Sequence, residues 1–248
     1  MTLELIETIT VIAIGFALGG ILKGATGVGA PIIAVPLLAI YFDVRFAIVI
    51  FSIPNILPNI WQAWAYRKTL LPLRFVVPFT LAGMLGAACG TWVLANAPTD
   101  LLPLGVAGAV LLYIGFRLLR PHWILPYPKA VKLAPPVGFI AGMLQTASGL
   151  SAPASVTFLS AMKLDRAAFI PTVSTFFIGL GVVQIPMLIG YGFLTPERAL
   201  LSAAALIPLT AAMPLGARLV RHLPKEVFDR VILGLLAILA IKLLVTAF

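Results

Sequence analysis

Apolar segments follow one another along the whole chain, and this arrangement limits the fold more than any other feature of the sequence. Hydrophobic residues make up 61% of the 248 residues and charged residues 10%, against roughly 45–50% and about 25% in soluble domains. Inside a lipid bilayer a single segment satisfies its own backbone hydrogen bonds only as a helix. The sequence therefore predicts an all-α polytopic membrane protein, with no soluble catalytic domain between the segments.

Each half of the chain contains five apolar segments, separated by Pro, Gly and charged residues. The first two of each half are shorter than the roughly 20 residues that a membrane span needs, whereas the other three are long enough. We therefore expect a short or broken helix pair followed by three long transmembrane helices in each half. The segments lie near residues 8–23, 31–42, 46–66, 72–95 and 101–118, and then near 134–145, 153–162, 167–190, 196–219 and 227–247.

The two halves are related by an internal repeat that is visible between residues 122 positions apart. Polar and charged residues follow this offset without a gap, since Asp43, Ser52 and Gln62 recur as Asp165, Ser174 and Gln184. The first Gly-rich segment recurs as well, because Gly20, Leu22, Ala25, Gly27, Ala30 and Pro31 correspond to Gly142, Leu144, Ala147, Gly149, Ala152 and Pro153. The repeat predicts a first unit over residues 1–120, a basic linker over 121–133 and a second unit over 134–248.

An odd number of membrane crossings in each half would place the two repeats in opposite orientations. The loops on one predicted side of the membrane hold 13 of the 17 Lys and Arg residues. Cytoplasmic loops are enriched in Lys and Arg. We therefore predict an inner membrane protein of the bacterial type, with these loops in the cytoplasm and both termini outside. The net charge of +9 then reflects membrane orientation rather than nucleic-acid binding.

Two Gly-rich interruptions occupy corresponding places in the two halves. The first reads GATGVGAP over Gly24–Pro31, and the second reads ASGLSAP over Ala147–Pro153. Clustered Gly followed by Pro breaks a helix, and such a break is tolerated at membrane depth only inside protein or beside water. Paired breaks are the best sequence indication of a transporter's central site, where free N–H groups of half-helices favour an anion.

The candidate substrate-binding residues are those at or near the two breaks, together with polar residues of the long segments. Gly residues would allow a ligand to approach the backbone, and hydroxyl and amide groups would donate hydrogen bonds. Their set is Lys23, Gly24, Thr26, Gly27, Gly29, Asn55, Asn59, Gln62, Gln145, Thr146, Ser148, Gly149, Ser151, Ser174 and Gln184. Because Lys23 corresponds to Gln145, Gly24 to Thr146 and Gly29 to Ser151, the two half-sites differ chemically.

Some of these features also have a purely structural interpretation. Lys23 is the only basic residue with membrane-buried sequence on both sides, so it is either functional or extends to the nearby surface. Asn55, Asn59 and Gln62 share one helical face, which lines a cavity or forms interhelical hydrogen bonds. The evenly spaced Gly pairs favour close helix packing, and Asp43 and Asp165 favour helix capping. The pairs are Gly15/Gly19, Gly20/Gly24, Gly86/Gly90 and Gly138/Gly142.

Enzymatic chemistry lacks its usual side chains within the apolar segments. They contain no pair of acidic residues and no His/Glu or Cys/His set, which general acid–base or metal catalysis would need. We therefore predict a protein that is not an enzyme and needs no cofactor or metal.

With these motifs, the chain resembles the sulfite exporter TauE/SafE group of the toluene sulfonate uptake permease family. The resemblance covers nearly the full length and depends on GATGVGAP, its counterpart ASGLSAP and the two-fold repeat. It implies an exporter or permease for sulfite, an organosulfonate or a related small oxyanion.

The sequence thus favours a secondary carrier in which a small anion binds between the two breaks and the halves rock around it. The bilayer and a coupling ion, either a proton or sodium, are its other expected partners. A passive anion channel with the same architecture and a non-transporting membrane scaffold are the alternatives.

Overall fold

The computed structural model describes residues 3–119, 123–222 and 225–246. These residues form an all-helical structure, as predicted, and contain no β-strand. The helices of the first half are α1 (Leu3–Thr26), α2 (Ala30–Tyr41), α3 (Val44–Ala65), α4 (Leu73–Asn96) and α5 (Leu102–Leu119). Those of the second half are α6 (Tyr127–Ser148), α7 (Ser155–Ala161), α8 (Arg166–Gly190), α9 (Pro196–Ala204), α10 (Leu206–His222) and α11 (Lys225–Thr246).

Six stretches of the described residues are long and apolar enough to cross a membrane. They are Ile6–Thr26, Val44–Ala65, Leu73–Asn96, Thr99–Phe116, Arg166–Gly190 and Pro196–Leu219. This confirms the prediction of a polytopic helical membrane protein.

The first helix of each half is longer than the sequence predicts. Helix α1 has 24 residues, and α6 has 22 because it begins at Tyr127. Helix α6 therefore begins inside the range 121–133, which the sequence assigned to a basic linker. Positions 121 and 122 lie outside the described residues. Exposed Lys129 and Lys132 obscured this helix start, because they lower the local hydropathy without disfavouring a helix. Helix α2 (12 residues) and helix α7 (7 residues) are short, as predicted.

The predicted long segment 196–219 consists of two helices that continue in the same span. Helix α9 ends at Ala204 and α10 begins at Leu206. Pro208 has no N–H group, so the carbonyl of Ala204 lacks the partner that it would have in a regular helix. The helical hydrogen bonding resumes with the next residue, because Leu209 N–H donates to the Ala205 carbonyl at 3.3 Å.

Glycines allow two helix pairs to pack with their backbones almost in contact. These pairs, α1 with α10 and α4 with α6, are the most extensive in the structure. A Cβ atom on Gly20 would lie 2.2 Å from the Leu209 carbonyl oxygen, and one on Gly86 would lie 2.0 Å from that of Phe139. Helix α1 of the first half thus packs on α10 of the second half, and α6 of the second half packs on α4 of the first. The predicted packing role of the evenly spaced glycines is confirmed.

Aspartates begin the central helices α3 and α8, which also pack against each other. The Asp43 carboxylate accepts from Phe46 N–H, and the Asp165 carboxylate accepts from Ala168 N–H, both at 2.8 Å. Each side chain satisfies one of the backbone donors that a helix N-terminus leaves unpaired. The predicted capping role of these two residues is therefore confirmed.

Contacts at the ends of the helices and in the adjoining loops define two faces of the molecule. On the face that we call the basic face, the Thr69 hydroxyl donates to the Ala167 carbonyl at 2.6 Å and the Arg74 guanidinium stacks on Tyr127. On the opposite face, the Arg45 guanidinium stacks on Phe193. Helix α3 runs between these faces over 22 residues, a length of about 33 Å, which matches the hydrocarbon core of a bilayer.

Candidate functional site

The first break separates α1 from α2 and depends on two glycines in the left-handed region. Gly27 has φ +84° and Gly29 has φ +102°, values that disfavour residues with a Cβ atom. The Thr26 hydroxyl lies within hydrogen-bond distance of the Leu22 and Val28 carbonyls, to one of which it donates, and it accepts from Val28 N–H at 3.3 Å. Thr26, predicted to contact the cargo, therefore holds the break in shape with its own hydroxyl.

The second break, between α6 and α7, is closed by its own side chains. Gly149 has φ +76°, and the Gln145 amide spans the turn by donating to the Gly149 carbonyl and accepting from Ser151 N–H, both at 3.1 Å. The Ser155 hydroxyl donates to the Ser151 hydroxyl at 2.9 Å, and the Ser148 hydroxyl donates to the Leu144 carbonyl at 2.7 Å. These predicted site residues are thus engaged with one another and with their own backbone.

Lys23 is buried inside the protein and does not extend to its surface. Only 4% of its surface is exposed, and its Nζ atom donates to Asn59 Oδ1 at 3.0 Å. No carboxylate lies within ion-pair distance of this ammonium group in the described part of the chain. Its burial contradicts the snorkelling interpretation, and a charge buried without a counter-ion is costly in a membrane.

A polar network connects Lys23 to the two central helices. Asn59 of α3 accepts from Lys23 and also from the Ser174 hydroxyl of α8, at 3.2 Å. The same hydroxyl lies 3.3 Å from Gln62 Oε1. Asn55 takes part through its backbone carbonyl, which accepts from the Asn59 amide at 2.5 Å. Four of the predicted site residues therefore meet around one lysine, at the junction of α1, α3 and α8.

A cavity of about 640 Å³ lies beside this network and reaches the basic face. Lys23, Gly24, Gly27 and Gln62 contribute to its lining, and Tyr66 and Arg166 lie at the basic-face end. Its walls are apolar and include Leu57, Pro58, Trp61, Ile170, Leu206, Met213 and Pro214. None of the described residues that line it is Asp or Glu. At about 30 Å³ per water molecule, the cavity holds a small hydrated anion with space remaining.

Arg166 is a candidate site residue that lies just outside the predicted segment 167–190. It is the first residue of α8, directly after the capping Asp165, and its Nη2 atom donates to the Gly24 carbonyl at 3.3 Å. Gly24 belongs to the last turn of α1, where carbonyls lack helical partners and a cation is favourable. The guanidinium is exposed and lines the cavity mouth. The only indication in the sequence is that the first helix of one repeat ends on the face where the third helix of the other repeat begins.

The remaining predicted residues lie away from the cavity. Thr146 is fully buried, and its hydroxyl donates to the Ala87 carbonyl of α4 at 2.9 Å. Gln184 is buried in α8, and its Nε2 atom has no hydrogen-bond partner among the described residues. The second break does not contribute to the cavity lining, although Gly149 packs against Val35 of α2. The site was expected between the two breaks, but only the first break lines the cavity in this structure.

Comparison with known proteins gives one result at the level of the family. The model of the sulfite exporter TauE/SafE family matches residues 11–243. Among curated proteins and among solved structures, the comparison finds no match to this chain. The family match covers nearly the whole chain, including both breaks, Lys23 and Arg166. The chain belongs to the sulfite exporter TauE/SafE family of membrane transport proteins.

Proposed function

We propose that this protein is a secondary carrier that exports a small sulfur-containing anion, such as sulfite or an organosulfonate, through the Lys23 cavity. The observation that carries the proposal is the buried Lys23 ammonium, which has an amide partner but no carboxylate partner among the described residues. An anion beside Nζ would neutralise this charge in a region of low dielectric constant. Family membership supports a sulfite-type cargo.

The distribution of charge supports a route for the anion from the basic face. Arg166 lies at the cavity mouth, Lys23 lies deeper, and the described residues that line the cavity include no acidic side chain. Positive charge at the mouth of a cleft with apolar walls concentrates anions there. Since Lys and Arg are enriched in cytoplasmic loops, we place the basic face in the cytoplasm and both termini outside, in an inner membrane of the bacterial type.

The two breaks support a mechanism of alternating access. Helices α1 and α6 both end at left-handed glycines, and each packs on a helix of the other half through close Gly contacts. Rigid pairs of this kind move as bodies, while the breaks absorb the change in backbone direction. In this mechanism the two rigid pairs, α1 with α10 and α4 with α6, rock against each other around the bound anion, and the gradient of a proton or sodium ion drives net export.

Counterflow in proteoliposomes tests the function directly. Vesicles that contain purified protein are loaded with unlabelled sulfite and diluted into a trace of labelled sulfite, with sulfoacetate and chloride as parallel loads. A carrier accumulates label transiently above equilibrium, because internal cargo promotes exchange. Uptake that never exceeds equilibrium and does not saturate would indicate an anion channel. No flux of any tested anion would indicate a scaffold and contradict the proposal.

A further inference from the structure

Two arginines on the face opposite the cavity mouth form a set of contacts between the halves of the molecule. Arg45, at the start of α3, stacks its guanidinium 5.5 Å from the ring centroid of Phe193, in the loop between α8 and α9. Arg198, in the first turn of α9, lies 5.8 Å from the ring centroid of Phe46 on α3. The two cation–π contacts are reciprocal. Arg45 lies over Phe193, whose carbonyl accepts from Arg198, and Arg198 lies over Phe46, which follows Arg45 in the sequence. We call these four half-buried residues the clasp.

Backbone carbonyls hold the same guanidinium groups in place. Arg45 Nε donates to the Leu94 carbonyl at 2.9 Å, and its Nη2 donates to that of Ala97 at 2.8 Å. These acceptors are at the C-terminal end of α4, where carbonyls lack helical partners. Arg198 Nη1 donates to the Phe193 carbonyl at 3.1 Å. The planar fork of arginine therefore joins α3, α4 and the α8–α9 loop at one place.

At the corresponding place on the basic face, the described residues form no such clasp. The repeat counterparts of Arg45 and Phe46 are Ala167 and Ala168, at the start of α8. Ala167 instead accepts a hydrogen bond from the Thr69 hydroxyl, and the neighbouring Arg166 donates to the Gly24 carbonyl of α1. The counterpart of Arg198 is Arg74, which stacks on Tyr127 of α6. The cavity opens toward this face, which lacks the reciprocal arginine–phenylalanine pairs among the described residues.

From this asymmetry we propose that the clasp is the extracytoplasmic gate of the carrier. It holds α3 against the α8–α9 loop while the cavity is open to the basic face, and it must separate when the cavity opens to the other side. The inference rests on the proposed carrier function and adds the contacts that set its resting conformation. A ligand or mutation shifts such an equilibrium only through contacts that differ between the two states, and the clasp provides such contacts.

Cysteine accessibility in oriented vesicles tests the gate. Thr210 lines the cavity, so a Thr210→Cys reporter reports on access to it. The reporter is introduced into a Cys89→Ser background, which removes the chain's single native cysteine. A membrane-impermeant maleimide is then applied from either side. With the clasp intact, we expect labelling from the basic face only. In the Arg45→Ala/Arg198→Ala double variant, labelling from the opposite face should rise at least tenfold while labelling from the basic face falls.

The matched control is Arg74→Ala, which removes an arginine–aromatic stack on the basic face and should not increase labelling from the opposite face. Phe193→Leu keeps an apolar side chain and should shift labelling in the same direction as the double variant, which covers the case in which that variant does not fold. Unchanged labelling in a folded clasp variant would overturn the gate. A rise from one face with no fall from the other would indicate a leak and would also overturn it.

Counterflow by the unmodified chain separates failure of the gate from failure of the proposed function. If the gate is wrong, counterflow persists and the clasp variants behave like the unmodified chain. If the carrier function is wrong, the unmodified chain shows no counterflow, whatever the labelling pattern.

Discussion

Replacing Lys23 with Gln should nearly abolish transport of the anion while leaving the protein folded in the membrane. Glutamine occupies the corresponding position in the second half, at Gln145, so a first helix with this break accommodates it. Its amide can still donate to Asn59, but the positive charge is lost. Removing one partner of a buried charged contact costs about 2 to 5 kcal/mol, or roughly 30-fold or more in affinity. Initial rates at low sulfite concentration measure this loss.

Two variants act as controls for the loss at Lys23. Lys242→Gln makes the same chemical change on the opposite face, beside Tyr41, and should leave transport unchanged. Arg166→Gln should raise KM with little change in the maximal rate, because this exposed guanidinium acts at the cavity mouth, where solvent screens its charge. Full transport by Lys23→Gln would contradict the assignment of Lys23 to the anion site.

Gly149→Ala should destabilise the protein strongly, because the new Cβ atom meets a rigid neighbour. It would lie 2.5 Å from Val35 Cγ1 and 2.9 Å from Val35 Cγ2, and Val35 is completely buried. The left-handed backbone conformation adds about 1 to 2 kcal/mol, and overpacking adds about 1 to 3 kcal/mol. Thermal unfolding in detergent measures the combined loss.

The chain provides a control and a rescue for this effect. Gly192 has a similar φ of +72°, but a Cβ atom there would meet nothing within 4 Å. Gly192→Ala should therefore show only the backbone cost. Shortening the neighbour with Val35→Ala in the Gly149→Ala background should restore part of the lost stability, because the two sites share one contact. Equal losses at Gly149 and Gly192 would mean that the second break does not pack on α2 as described.

The sequence was sufficient for the features that follow from local backbone chemistry. Periodic glycines predicted that their helices pack closely, although not on which partners, and Asp43 and Asp165 predicted two helix starts. Clustered glycines with a following proline predicted the breaks, and Gly27, Gly29 and Gly149 have the left-handed φ values that explain them. These features need no knowledge of distant parts of the chain.

Features that depend on tertiary contacts could not be predicted. The sequence placed both breaks at one site, but the Gln145 amide bonds to its own turn, whereas Lys23 at the same repeat position bonds to α3. Arg166 was assigned to a loop because nothing nearby in sequence indicates that it reaches Gly24. The proline at position 208 divides a predicted span into α9 and α10, although the span continues in the same direction.

The measurement that tests the central claim most directly is the thermal stability of the purified protein with and without candidate anions. Sulfite, thiosulfate, sulfate, sulfoacetate, taurine and a carboxylate analogue are compared for the unmodified chain and for Lys23→Gln. A bound ligand at 100 times its dissociation constant adds about 2.7 kcal/mol to the stability of the folded state. We expect one sulfur oxyanion to stabilise the unmodified chain and to lose this effect in Lys23→Gln. Equal stabilisation of both proteins, or no response to any of these anions, would contradict an anion site at Lys23.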